Sequence, residues 1–110
     1  MFIKVGSRVL KVKNCNGFAS LCGLAFDDMK KHNGALIYSN NIWMPFVKHE
    51  LDLLFLDSDF KILDIQRAIP LSLNPKTWKY YKNKNARYCL ELKSGLVSAR
   101  KGLKVIINIP

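Results

Sequence analysis

Acidic side chains are scarce in this chain. Eight Asp and Glu stand against 18 Lys and Arg, a net charge of +10, and a field of that sign favours acidic partners such as nucleic acid while also aiding solubility. The imbalance is uneven, with 7 basic and 6 acidic residues in 1–59 and 11 and 2 in 60–110, or +1 against +9. Cysteine is sparse and odd in number. Cys15, Cys22 and Cys89 contain no CxxC pair, which argues against a disulfide framework and a structural zinc site and for reduced thiols. His32 and His49 lack recognisable ligand spacing with them, so no metal is expected. Neither GxGxxG nor GxxxxGK[ST] occurs, which leaves no phosphate-cradling loop and no expected cofactor. The N-terminal residues lack a continuous apolar region with a cleavage site. The longest uncharged run, 34–47, is too short and too rich in asparagine to cross a bilayer. A cytoplasmic protein without a membrane partner is the expectation.

What is present is a dense apolar stretch at 42–57, IWMPFVKHELDLLFLD. Leu51, Leu53 and Phe55 alternate with Asp52, Leu54 and Leu56, so a strand here is apolar on both faces and therefore central in its sheet. Asp52 shares a face with Leu54 and Leu56. An unpaired carboxylate there costs several kcal/mol, roughly, so Asp52 needs either a partner or an opening to water.

With 110 residues the chain suits one domain and one core. Residues 2–13 read as two short strands about the Gly6-Ser7 turn. Asn16 caps a possible helix over 18–24, 27–33 is a polar connection, and 34–39 is a strand. Asn40 and Asn41 signal a turn, and Pro45 a bend at 45–49. A hairpin at 57–60 leads into a strand over 61–69. If Leu56 opposes Lys61, then Asp52 faces Ile65 and Glu50 faces Arg67, making Arg67 the candidate partner of either carboxylate. After a loop at 70–75 comes 76–88, with five basic residues, four aromatic rings and no acid. Residues 88–92 form a strand, Ser94 caps a helix closed by Gly102, and Leu103, Val105, Ile107 and Ile109 alternate as a last strand.

The blocks GLAF (23–26), GALIY (34–38), Trp43-Met44, LDLLFLD (51–57) and LELKSG (90–95), in this order and spacing, resemble the domain of unknown function 192 family over 12–109. The resemblance implies a mainly β, compact antiparallel barrel-like or sandwich-like sheet with two short helices, and no established activity. Carried over by position, its recurrent residues are Gly23, Gly34, Trp43, Met44, Asp52, Asp57, Glu91 and Gly95. Many members follow Trp-Met with Lys-Asn-Thr, where this chain has Pro45, Phe46 and Val47. The family hairpin usually has glycine where Phe60 stands. A left-handed residue there implies roughly 1–2 kcal/mol of strain, and a different turn is the expectation.

Three classes of function remain, with binding favoured over catalysis. A small-ligand pocket at the mouth of the sheet would be edged by Trp43, Phe46, Asp52 and Glu91. Nonspecific nucleic-acid binding would use 76–88, with Lys76, Lys79, Lys82, Lys84 and Arg87 on phosphates and Trp78 and Tyr81 among the stacking rings. Hydrolase-like chemistry would pair Asp52 with Glu50 or Glu91. Nothing in the spacing links a cysteine to a histidine, so no catalytic residue is assigned. The partner is an anion or a small ligand, and the chain a monomer or weak oligomer.

Overall fold

The computed structural model describes residues 2–15, 33–43, 50–68 and 80–107. Short alternating runs separated by turns give nine strands there: β1 (Phe2–Val5), β2 (Arg8–Cys15), β3 (Gly34–Ile37), β4 (Asn41–Trp43), β5 (Leu51–Leu56), β6 (Ile62–Ala68), β7 (Tyr80–Lys82), β8 (Tyr88–Lys93) and β9 (Ile106–Ile107). Seven form one sheet in the order β6-β5-β8-β3-β2-β1-β9, curled into a half-barrel, and β4 pairs with β7 as a separate ribbon. Every pairing is antiparallel except β2 with β3.

The period-2 pattern decides which side faces inward. Ile3, Val5, Leu10, Val12, Leu36, Leu54, Leu56, Leu90 and Leu92 form the concave core, joined by Ile62 and Val105. β5 lies between β6 and β8. Its other face, Leu51, Leu53 and Phe55, is also fully buried, as two-sided apolarity requires of a central strand. Gly34 is needed for close approach: a Cβ there would collide with the Glu91 carbonyl oxygen and lie 2.7 Å from Leu92 Cδ2.

One hairpin joins the sheet's two ends. Phe60 N–H donates to the Asp57 carbonyl and Asp57 N–H to the Lys61 carbonyl, both at 3.0 Å, the pattern of a tight turn followed by a left-handed residue. That residue is Phe60, with φ 63°. The glycine-type turn is thus kept despite the bulkier side chain, against the expectation of a different turn. Phe60 is held by stacking on Tyr88, with centroids 4.7 Å apart, while Tyr38 meets Tyr88 edge-on at 5.3 Å. Aromatic contacts of this kind contribute about 0.5–1.5 kcal/mol, comparable with the strain. Next to the turn, Ile62 N–H donates to Leu103 O, Gly102 N–H to Ile62 O and Val105 N–H to Phe60 O, each at 2.8 Å. A bridge between Lys61 and Lys104 completes the join, so the strands at opposite ends of the sheet order are linked at this corner.

Three further expectations change. The helix over 94–101 does not form. Gly95 takes φ 80° in a turn closed by Leu96 N–H to Lys93 O, 97–100 is irregular, and Gly102 takes φ 90°. Leu96, Val97, Ala99 and Leu103 pack on the concave core, and this burial along an extended strap outweighs a weak helical propensity. Among the described residues the last strand begins at Ile106 rather than Leu103, and β7 is an added one. The hairpin register differs too: Leu56 opposes Ile62, a bulge follows, and Asp52 opposes Arg67 rather than Ile65. The shift is two residues, so side chains keep their faces and Arg67 remains on Asp52's side. The expected helix over 18–24 and the bend at 45–49 lie outside the described residues.

Because Phe60 occupies a left-handed position, Phe60→Gly should be more stable than Phe60→Ala by about 1 kcal/mol. That reverses the usual order, in which glycine is the less stable. Urea denaturation of the two variants decides it, and a less stable glycine variant would refute the strain.

Candidate functional site

Asp52 sits at the end of the concave face, in the cross-strand row Gly34, Leu92, Asp52, Arg67. Arg67 Nε approaches its Oδ1 at 3.7 Å, and Gly95 N–H donates to its Oδ2 at 3.2 Å. Its side chain is 16% exposed and that of Arg67 62%. Asp52 therefore has both a partner and access to water, and it fastens the turn after β8 to β5. Glu50 is exposed, and its carbonyl accepts Ser94 N–H at 3.2 Å.

The deepest carboxylate among the described residues is Glu91, only 3% exposed. It stands between Ala35 and Leu53 on the face opposite Asp52 and is engaged within the fold. The alternation of β8 displayed this burial once β8 was known to be central. A lone glutamate between two leucines does not by itself reveal which neighbours cover it. Cys89 lies two residues away on the same face, buried and unbridged. Burial pushes its thiol well above the usual range, and the Glu91 charge adds to this. It is a small hydrophobe rather than a nucleophile.

Of the other described acids, Asp57 braces a turn and Asp64 is bonded within β6. Asp57 Oδ1 accepts Asp59 N–H at 2.8 Å and Lys61 N–H at 3.0 Å. The Lys61 bond is the largest influence on its carboxyl and lowers its pKa below the ordinary 3.8; desolvation opposes this, and the Asp59 N–H and the Lys61 and Lys104 charges lower it further. Asp64 accepts Ile65 N–H and Gln66 Nε2, each at 2.9 Å, with Lys101 Nζ at 3.9 Å.

The expected pocket edge is thus divided. Asp52 and Glu91 occupy opposite faces of the sheet, so neither a shared mouth nor an Asp52–Glu91 catalytic pair is assembled. Trp43 belongs to β4 and pairs with Tyr80; Phe46 lies outside the described residues, as do Lys76, Trp78 and Lys79, and His32 and His49. Tyr81 belongs to β7, opposite Ile42. Lys82, Lys84 and Arg87 are exposed around a turn in which Asn83 Oδ1 accepts Asn85 N–H at 3.0 Å. Gln66 Nε2 donates to Lys82 O at 3.2 Å, which ties the ribbon to β6. Among the described residues no three His, Cys, Asp or Glu side chains gather as a metal cluster, and no helix is long and apolar enough to cross a membrane.

A second basic region emerges only on folding. Residues 2–15 and 92–107 contain no acid, and they carry Lys4, Arg8, Lys11, Lys13, Lys93, Arg100, Lys101 and Lys104. The order β2-β1-β9 sets the two segments side by side. On the outer side Lys4 lies between Val9 and Ile106, and Phe2 is beside Lys11. Phe2, Val9 and Ile106 are exposed.

The curled half-barrel defines the class: a mainly β fold in which Asp52 and Asp57 brace turns and no three His, Cys, Asp or Glu side chains gather among the described residues. The chain belongs to the domain of unknown function 192 family (Uncharacterized ACR), whose model matches residues 4–105. The fold is similar to the crystal structure of a Sinorhizobium meliloti protein provisionally described as a transcription regulator. That similarity has 24% identity and a TM-score of 0.75, over 94% of this chain and 88% of the other. No curated protein matches.

Two predictions follow from the carboxylates. Arg67→Ala should cost under about 1 kcal/mol, as exposed ion pairs do, whereas Asp52→Ala, which also loses the Gly95 bond, should cost about 1–2 kcal/mol. Equal costs in chemical denaturation would contradict this division of roles. For Asp57 the folded pKa lies below the unfolded one, so its stabilisation is present above pH 3.8 and is lost as pH falls through the folded value. Asp57→Asn retains an acceptor but no charge. Its deficit relative to wild type at neutral pH should therefore shrink in urea midpoints as the pH is taken below 3.8; an unchanged gap would refute the assignment.

Proposed function

We propose that this protein is a small, non-catalytic binding or accessory domain for an anionic partner. The observation that carries the reading is that the strand order sets two acid-free segments, 2–15 and 92–107, side by side, with Lys4 and Lys11 on the outer side of β1 and β2. Exposed lysines beside exposed apolar side chains suit a partner that is both anionic and partly apolar. The non-catalytic part is supported by the engagement of Asp52, Asp57 and Asp64 in turns and ion pairs and by the burial of Cys89.

A second reading, nucleic-acid binding by the ribbon and its turn, is favoured by the exposure of Lys82, Lys84 and Arg87. In that case phosphates meet the cations, and affinity falls steeply with salt.

One experiment separates the two. A sulfated oligosaccharide and a single-stranded oligonucleotide should bind at low salt and weaken about tenfold or more as salt rises. Lys4→Glu with Lys11→Glu should abolish most oligosaccharide affinity if the β1-β2-β9 face is used, and Lys82→Glu with Lys84→Glu most oligonucleotide affinity if the ribbon is used. Absence of binding to either at low salt would overturn both readings.

A further inference from the structure

The strap over 95–100 runs beside the β1–β2 turn, and two cavities lie between them. One, of about 410 Å³, is lined by Val5, Ser7, Arg8, Leu96, Val97 and Ser98. The other, of about 280 Å³, is bounded by Ser98, Arg100 and Leu103 among others. Ser98 lines both, so the two adjoin there as a two-part cleft, with Arg8 on the wall of the larger part and Arg100 on the wall of the smaller. We infer that this cleft is a binding site for a small organic anion, a phosphate or carboxylate group carried on a compact apolar body. The inference rests on the binding reading above and adds to the β1-β2-β9 face a separate site with its own ligand class.

The chemistry of the walls supports this class. No acid lines either cavity. The carboxylate that touches a lining residue, Asp52 through Gly95 N–H, is already met by Arg67. Arg8 and Arg100 are exposed and have no carboxylate partner among the described residues. A guanidinium presents a planar fork of donors that matches an oxyanion, and the Ser7 and Ser98 hydroxyls can add a donor each. Val5, Leu96 and Val97 offer an apolar wall beside these groups. The larger cavity falls within the roughly 300–1,000 Å³ typical of small-molecule sites. The combination favours an amphipathic anion over a bare ion, which would leave the apolar wall unused, and over a neutral apolar molecule, which would leave the guanidinium donors unused.

The test is an amide chemical-shift titration of the full chain with phenyl phosphate, inorganic phosphate and benzyl alcohol. Phenyl phosphate should move the amides of Ser7, Arg8 and 96–98 saturably, and bind at least about fivefold more tightly than either other probe. Arg8→Gln and Arg100→Gln should each weaken it about five- to tenfold. Inorganic phosphate binding equally well, shifts spread over the lysine-bearing faces, unchanged affinity in both glutamine variants, or no saturable shift would each overturn the proposal. An oligonucleotide that displaces phenyl phosphate at far lower concentration would reassign the cleft to a polymer and also overturn it. If sulfated oligosaccharide still binds while phenyl phosphate does not, the cleft fails and the broader anion-binding reading stands.

Discussion

The Asp57 carboxylate and the turn it braces set the geometry on which the closure of the sheet depends. Two backbone N–H groups, from Asp59 and Lys61, converge on Asp57 Oδ1, and this fixes Phe60 in a left-handed conformation. So placed, the Phe60 carbonyl receives Val105 N–H, while Ile62 exchanges hydrogen bonds with 102–103. The corner thereby supplies backbone partners to the start of β6, an end strand of the sheet, where unpaired groups would otherwise be left. The aromatic contact of Phe60 with Tyr88 offsets the steric cost, so a residue that local propensity disfavours is retained by packing.

Anchoring at this corner also determines the path of the strap. Its C-terminal end is pinned at 102–105 by β6, and its N-terminal end at Gly95 by Asp52. Between these pins Leu96, Val97 and Ala99 cover the concave core, leaving Arg100 exposed and Ser98 on the wall of the cleft. The acids that would be the obvious candidates for chemistry are the fasteners of this arrangement. Charge of the opposite sign is left on the surface, and the net field of the chain is positive.

Much of the strand pattern was legible in the sequence, because each run's alternation reflects its own burial. The Gly6-Ser7 hairpin, β3, β5, β6 and β8 all fall where alternation and turn residues put them. The Asp52–Arg67 contact was half legible: the face was right, and the register was moved two residues by a hairpin and bulge whose geometry depends on Phe60. The helix expected over 94–101 was misread, since Ser94 and Gly102 are equally good turn residues and only the core beneath the strap decides between them. β7 gave no signal above its basic, aromatic composition, because its partner β4 is distant in sequence.

Taken alone, the sequence determined that the chain is β-rich, basic, centred on β5 and a member of its family, since these properties follow from composition, local periodicity and the order of blocks. Tertiary structure alone decided which carboxylate is deep, that Asp52 and Glu91 face apart, and that Arg8 and Arg100 line neighbouring cavities that meet at Ser98. It also decided that the charge of the N-terminal hairpin joins that of the C-terminal segment, although the first half of the chain is nearly neutral by count. The physical reason is that strand order, the parallel β2–β3 pairing and the closing corner depend on contacts between residues far apart in the chain, which no local pattern encodes.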